Sequence, residues 1–183
     1  VQRDLPRDED GGIVMESLEE PVSFQAGARL MVRDSASSRA VARDITTAIL
    51  GDGHDIRDLT VSYDGSRLLF SARAPEIEDA DEDEQPTWNL WEYDFQSGAA
   101  RRLISSDLRA EEGQDRYPAY LPDGRIVFAS TRQRQARARL LDEGKPQFTP
   151  LEEGRDNAAF ALHVMSADGV EIEQITFNMS HDV

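Results

Sequence analysis

Two stretches of the chain share one pattern: an acidic residue, a short alternating run, Asp-Gly, an apolar run ending in Phe, then Ser and Arg. Asp55 to Arg73 reads DIRDLTVSYDGSRLLFSAR, and Asp115 to Arg132 reads DRYPAYLPDGRIVFASTR. Alternation suits half-buried strands, and Asp64-Gly65 and Asp123-Gly124 suit tight hairpin turns because Gly accepts positive φ and Asp tolerates it. Each stretch is therefore predicted to be a two-stranded hairpin. A second hairpin pattern follows each: Trp88 to Ile104, WNLWEYDFQSGAARRLI, turning at Gly98, and Phe160 to Thr176, FALHVMSADGVEIEQIT, turning at Gly169. Ala28 to Thr46 fits the same second template with Ser35 to Ser38 as its turn, and Asp10-Gly11-Gly12-Ile13-Val14-Met15 lines up loosely with the Asp-Gly hairpin.

Two hairpins in succession make a four-stranded antiparallel unit of about 50 to 60 residues, and such units in tandem are what a β-propeller requires. The expected fold is all-β: a partial β-propeller of about three four-stranded antiparallel blades, since closed rings need roughly four to eight. The blades are expected at 10–46 (partial), 55–104 and 115–177, with 178–183 starting the next inner strand. The opening at Val1 without Met, and the close on ITFNMSHDV, read as the cut ends of a longer propeller. An isolated fragment of this kind would expose blade faces and sheet edges, and so would aggregate unless a partner covered them.

The strings PAYLPDGRIVFASTR and LHVMSADGVEIEQIT resemble the Asp-Gly propeller repeat of TolB and its relatives. More narrowly, PVSFQAGARLMVRD, WNLWEYD, YLPDGRIVFASTR and ITFNMSHD together are similar to the middle propeller domain of the hydrazine synthase alpha subunit family and its bacterial relatives. The resemblance implies an exported, periplasmic location, and a multidomain haem oxidoreductase whose haem sites lie outside these residues. No haem ligand carries over, because Cys-x-x-Cys-His does not occur.

Composition narrows the chemistry. The 183 residues include 36 Asp plus Glu against 20 Lys plus Arg, a formal net charge of -16, and no cysteine. Zinc ribbons, iron-sulfur sites, c-type haem attachment and disulfide scaffolds are excluded for this chain. So strong a negative charge disfavours nucleic acid and anionic bilayers, and no apolar run approaches the roughly 18 to 20 residues of a spanning helix. The expected partner is thus a protein, or remaining domains of the same polypeptide, with no nucleic acid and no membrane insertion. No Gly-x-Ser-x-Gly, phosphate-cradling glycine loop or His-Glu-x-x-His is present, so no catalytic, cofactor-binding or metal residue is assigned and no cofactor is expected in this segment.

Alternating strand direction puts the Asp-Gly, Gly98 and Gly169 turns on one rim and the long connections 47–54, 74–87, 105–114 and 133–159 on the other. Long loops gathered on one end of a rigid scaffold are where binding concentrates. One of them carries Glu76, Glu78, Asp79, Asp81, Glu82, Asp83 and Glu84, hard oxygen ligands without the Gly and Glu spacing of an EF-hand, read as a solvated charge run. Another carries Arg132, Arg134, Arg137 and Arg139, read as an exposed basic helix turn that could otherwise pair with the acidic loop or dock an anionic partner. Glu78, Asp79, Asp81, Asp83, Arg134, Arg137 and Arg139 are the candidate interaction residues. Asp55, Asp115 and Asp182 hold matching repeat positions, giving candidate carboxylates at a channel mouth that either bind a cation or cap backbone amides. His54 and His181 precede two of them, and His163 falls within a strand. Trp88, Trp91 and Tyr93 are read as packing residues over a carbohydrate or base platform.

Three functions compete on this reading. They are a noncatalytic scaffold binding protein through the loop-rich rim, the propeller domain of the haem oxidoreductase above, and the propeller of a prolyl-oligopeptidase-type peptidase whose hydrolase domain lies elsewhere.

Overall fold

A computed structural model describes residues 1–2, 23–152, 155, 157–178 and 180–181. Among the described residues the chain is mostly β-sheet, consistent with an all-β fold, with three short helices in the connections. A two-stranded ribbon, β1 (Met31–Val32) and β2 (Arg43–Asp44), precedes two four-stranded antiparallel sheets. The first sheet runs β3 (Asp55–Val61), β4 (Arg67–Arg73), β5 (Asn89–Asp94) and β6 (Ala100–Arg102). The second runs β7 (Asp115–Tyr120), β8 (Ile126–Ser130), β9 (Ala161–Met165) and β10 (Glu173–Gln174). Each is a simple meander in which every strand pairs with its neighbour in sequence, as the repeated hairpins predict. The helices are α1 (Thr47–Leu50), α2 (Asp107–Ala110) and α3 (Arg134–Asp142), and a single 3-10 turn spans Glu82–Glu84.

Period-two alternation decides how the layers stack. On β4, Leu68, Phe70 and Ala72 join Ile56 and Tyr93 in a cluster with Ala28, Leu30 and Ile45 of the ribbon segment. The intervening Leu69, with Leu90, faces the other way and packs with Ile126, Phe128 and Met165 of the second sheet. Each sheet therefore turns the same face toward the unit before it. Both clusters are built from side chains at most 6% exposed, and burying a Leu or Phe of this kind contributes about 1.5 to 3 kcal/mol.

The inner strands are interrupted identically. Pairing of β3 with β4 skips between Arg57 and Thr60, and that of β7 with β8 skips between Arg116 and Ala119. The first bulged residue takes positive φ in both, +56° at Asp58 and +54° at Tyr117. These bulges fix the structural alignment of the sheets: Asp58 matches Tyr117, Arg57 matches Arg116, Phe70 matches Phe128, and Trp91 matches His163.

That alignment corrects one expectation. Asp55 pairs with Arg73, whereas Asp115 pairs with Ser130, the match of Ala72. Asp115 thus occupies the position of Ile56, and Gln114 that of Asp55. A one-residue offset turns a side chain to the opposite face of its strand. The Asp10-Gly11 turn of the expected first unit and Asp182 lie outside the described residues.

Candidate functional site

The meander topology separates two ends. Ser62 to Ser66, Phe95 to Ala99, Leu121 to Arg125 and Ser166 to Ile172 close the hairpins at one end, with Gly65, Gly98, Gly124 and Gly169 all at positive φ. The connections leading into β3, β5, β7 and β9 gather at the other, as the sequence predicts for the long loops.

Two clefts open at the long-connection end, in matching positions of the two sheets. The first, about 480 Å³, has Trp91 of β5 and its cross-strand partner Arg102 in its wall, with His54, Asn89, Glu111 and the connection from Asp83 to Thr87. The second, about 360 Å³, has His163 at the place of Trp91 and is walled by Arg109, Glu112, Arg132, Arg134 and Gln135. One architecture has thus produced a cleft walled by an acidic loop and one walled by arginines.

The acidic connection folds around Gln85. Its Oε1 accepts from the Ile77 amide at 2.9 Å, and its Nε2 donates to the Ile77 and Ala80 carbonyls at 3.0 Å each. Glu78, Asp79, Asp81 and Asp83 remain exposed. Among the described residues, no group of three or more His, Cys, Asp or Glu could hold a metal ion. Arg134, Arg137 and Arg139 lie exposed on α3, a helix of nine residues. Arg134 reaches Glu112 at 3.2 Å and Arg139 covers the Phe177 ring at 4.1 Å. Among the described residues, no ion pair joins α3 to the acidic connection.

Asp55 and Asp115 are both 0% exposed, and each is held by a buried guanidinium. Asp55 Oδ2 accepts from Arg57 Nη2 at 2.8 Å and from the Gln25 amide at 2.9 Å, while Oδ1 accepts from the Ile56 amide at 2.9 Å. Asp115 Oδ2 accepts from Arg132 Nη2 at 2.5 Å. Burial pushes the Asp115 carboxyl up to about 6, against the pull of Arg132.

Trp88, Trp91 and Tyr93 separate by role. Trp88 is fully buried, with the guanidinium carbons of Arg57 and Arg116 at 5.0 and 4.5 Å from its ring centroid. Tyr93 lies in the core cluster shared with the ribbon, and Trp91 is half-buried in the cleft wall. His163 stacks beside Phe128 with ring centroids 5.6 Å apart, and burial lowers its pKa to about 4. His181 Nδ1 accepts from the Phe160 amide at 3.0 Å, a structural contact.

Reading the sequence alone passes over Asn89, Arg102 and Glu111. A signal for one of them was available: counting outward from the Gly98 turn places Arg102 opposite Trp91. Glu111 carries no such signal, because its place depends on how the connection through α2 packs. No family model matches this chain, and no curated protein matches it either. No described helix is long and apolar enough to cross a membrane.

Proposed function

We propose that the two four-stranded sheets are blades of a β-propeller, spanning 55–104 and 115–177, and that the chain is a noncatalytic scaffold that binds protein through its long-connection rim. The observation that carries this reading is the repeated stacking: each meander turns the same face toward the preceding unit, with tight turns at one end and long connections at the other. Rigid sheets holding long loops at one end form a binding platform without any reacting group. The strong net charge favours a partner with a basic surface.

The direct experiment replaces 76–84 by a short Gly-Ser linker in the complete gene product and, separately, exchanges the Phe95 to Ala99 turn for another tight turn. The first variant is expected to lose the protein partner that co-purifies with the wild type, and the second to retain it. Retention by both, with folding intact, rejects the rim as the binding surface.

A second reading rests on the strings WNLWEYD, YLPDGRIVFASTR and ITFNMSHD: the chain is the propeller domain of a hydrazine-synthase-alpha-like haem oxidoreductase. An ultraviolet-visible spectrum of the complete gene product, produced with c-type cytochrome maturation, tests it. A Soret band with reduction-sensitive α and β bands supports the haem reading, and a spectrum featureless above the protein band rejects it.

A further inference from the structure

Four Asp-Gly pairs fall among the described residues: Asp52-Gly53, Asp64-Gly65, Asp123-Gly124 and Asp168-Gly169. An aspartate before glycine is open to attack on its side chain by the next main-chain nitrogen, because glycine has no Cβ to shield that nitrogen or restrict the backbone. At three of the pairs the fold occupies both reacting groups. The amides of Gly65, Gly124 and Gly169 donate to the Ser62, Leu121 and Ser166 carbonyls at 2.9, 3.0 and 2.9 Å. The Asp64 carboxylate accepts from the Ser62 hydroxyl at 2.6 Å and the Ser66 amide at 3.0 Å. That of Asp123 accepts from the Arg125 amide at 3.1 Å and Nε at 2.8 Å, and that of Asp168 from the Ser166 hydroxyl at 2.5 Å. These bonds hold all three carboxyls below their usual range, which disfavours the protonated form that gives up an oxygen. Asp52-Gly53 has neither restraint. Among the described residues the Gly53 amide donates no hydrogen bond and the Asp52 carboxylate accepts none. The Asp52 side chain is 81% exposed, with Arg29 Nη2 3.6 Å from Oδ1, and glycines at positive φ, Gly51 and Gly53, flank it on both sides.

We propose that Asp52 is a modification site, at which the folded chain closes a succinimide and isomerises to isoaspartate. The Gly53 nitrogen attacks Cγ of the protonated Asp52 carboxyl and a C–N bond forms. A C–O bond breaks, and that oxygen leaves as water with the carboxyl proton and the former amide proton. Water then adds to the main-chain carbonyl carbon of the succinimide, the bond from that carbon to the Gly53 nitrogen breaks, and the nitrogen recovers a proton. The chain now runs through the Asp52 side chain, with one more methylene in its path and no change in mass. Water is released once and consumed once, and nothing is oxidised. The lengthened link lies two residues before the His54 carbonyl, which accepts from the Gly27 and Ala28 amides at 3.1 and 3.0 Å. Isomerisation therefore alters the main chain where the ribbon segment joins the first sheet.

The test keeps the complete gene product folded for several weeks in neutral buffer, digests it with trypsin and distinguishes aspartyl from isoaspartyl peptides by electron-transfer fragmentation. Each pair falls in its own peptide: 44–57, 58–67, 117–125 and the one that begins at Asp156. Isoaspartate at Asp52 is expected to accumulate about tenfold faster than at Asp64, Asp123 or Asp168, where amide and carboxylate hydrogen bonds must first break. In the urea-unfolded chain, where those bonds are gone, the four rates should converge. D52E, whose side chain would have to close a larger ring, should abolish the signal in 44–57 and leave the other three peptides unchanged. Isomerisation at Asp52 no faster than at the other three pairs of the folded protein would overturn the proposal. The same preference for Asp52 in the unfolded chain would also overturn it, because the selectivity would then belong to the local sequence. Isoaspartate persisting in 44–57 of D52E would place the reaction at Asp44 or Asp55 and overturn it too.

Discussion

Arg116 of β7 reaches Asp58 of β3, Nε to Oδ2 at 2.5 Å and Nη2 to Oδ1 at 3.1 Å, across 58 residues of sequence. Both stand at the bulges of their inner strands, and the same Asp58 Oδ2 accepts from the Tyr117 amide at 3.2 Å. The guanidinium is 1% exposed and the carboxylate 11%, so this is a buried ion pair tying one sheet to the next. Removing one partner of such a pair strands the other, whereas removing both charges can be close to neutral. R116M should therefore cost about 3 to 5 kcal/mol, and R116M/D58N should recover a substantial part of that loss. Urea unfolding of both variants and of D58N checks it; strictly additive costs would mean that the pair does not couple the sheets.

Gly169 and Gly124 share positive φ, +80° and +88°, but not their surroundings. A Cβ at Gly169 would fall 1.9 Å from the Leu103 carbonyl oxygen of the first sheet, while one at Gly124 meets nothing within 4 Å. G124A is expected to cost about 1 to 2 kcal/mol, for the left-handed backbone alone. G169A should cost clearly more, because the turn must also retreat from the first sheet. Equal melting temperatures for the two variants would show that this close approach is absent in solution.

His163 and Asp115 give stability two opposed pH dependences. The folded histidine titrates near 4 and its reference value is 6.5, so its contribution is present above about pH 6.5 and is lost as pH falls toward 4. The folded Asp115 titrates near 6 against 3.8, so its contribution is present below pH 3.8 and is lost as pH rises through 6. H163Q removes the first trend and leaves the second. The stability of H163Q relative to the wild type should therefore rise between pH 7.5 and pH 4.5, read from urea midpoints at the two values. Parallel shifts in the two proteins would show that His163 is not held neutral by burial.

The hairpins were legible because Asp-Gly pairs and period-two alternation are local signals, and local pairing explains both meanders. The register is legible only when counted back from the Asp-Gly turns, where Arg57 and Arg116 both stand seven residues before the turn aspartate. Asp55 and Asp115 look equivalent when their hairpins are aligned from the acidic ends, yet Asp55 stands three residues before its bulge at Asp58 and Asp115 only two before the matching bulge at Tyr117. Neither bulge carries a glycine to announce its positive φ. The Arg57, Trp88 and Arg116 stack was equally hidden, since it joins three strand ends through tertiary packing. Trp91 was visible as an aromatic residue, but its role as a cleft wall follows from where the connections around Asp83 and Glu111 come to lie.

We propose protein binding at the long-connection rim. A photo-cross-linking amino acid placed in the complete gene product at Glu78 or Arg137 on that rim, or at Ser97 or Asp123 among the tight turns, tests it most directly. The two rim positions should cross-link the same polypeptide, and the two turn positions should not. Cross-linking confined to Ser97 and Asp123 would contradict it.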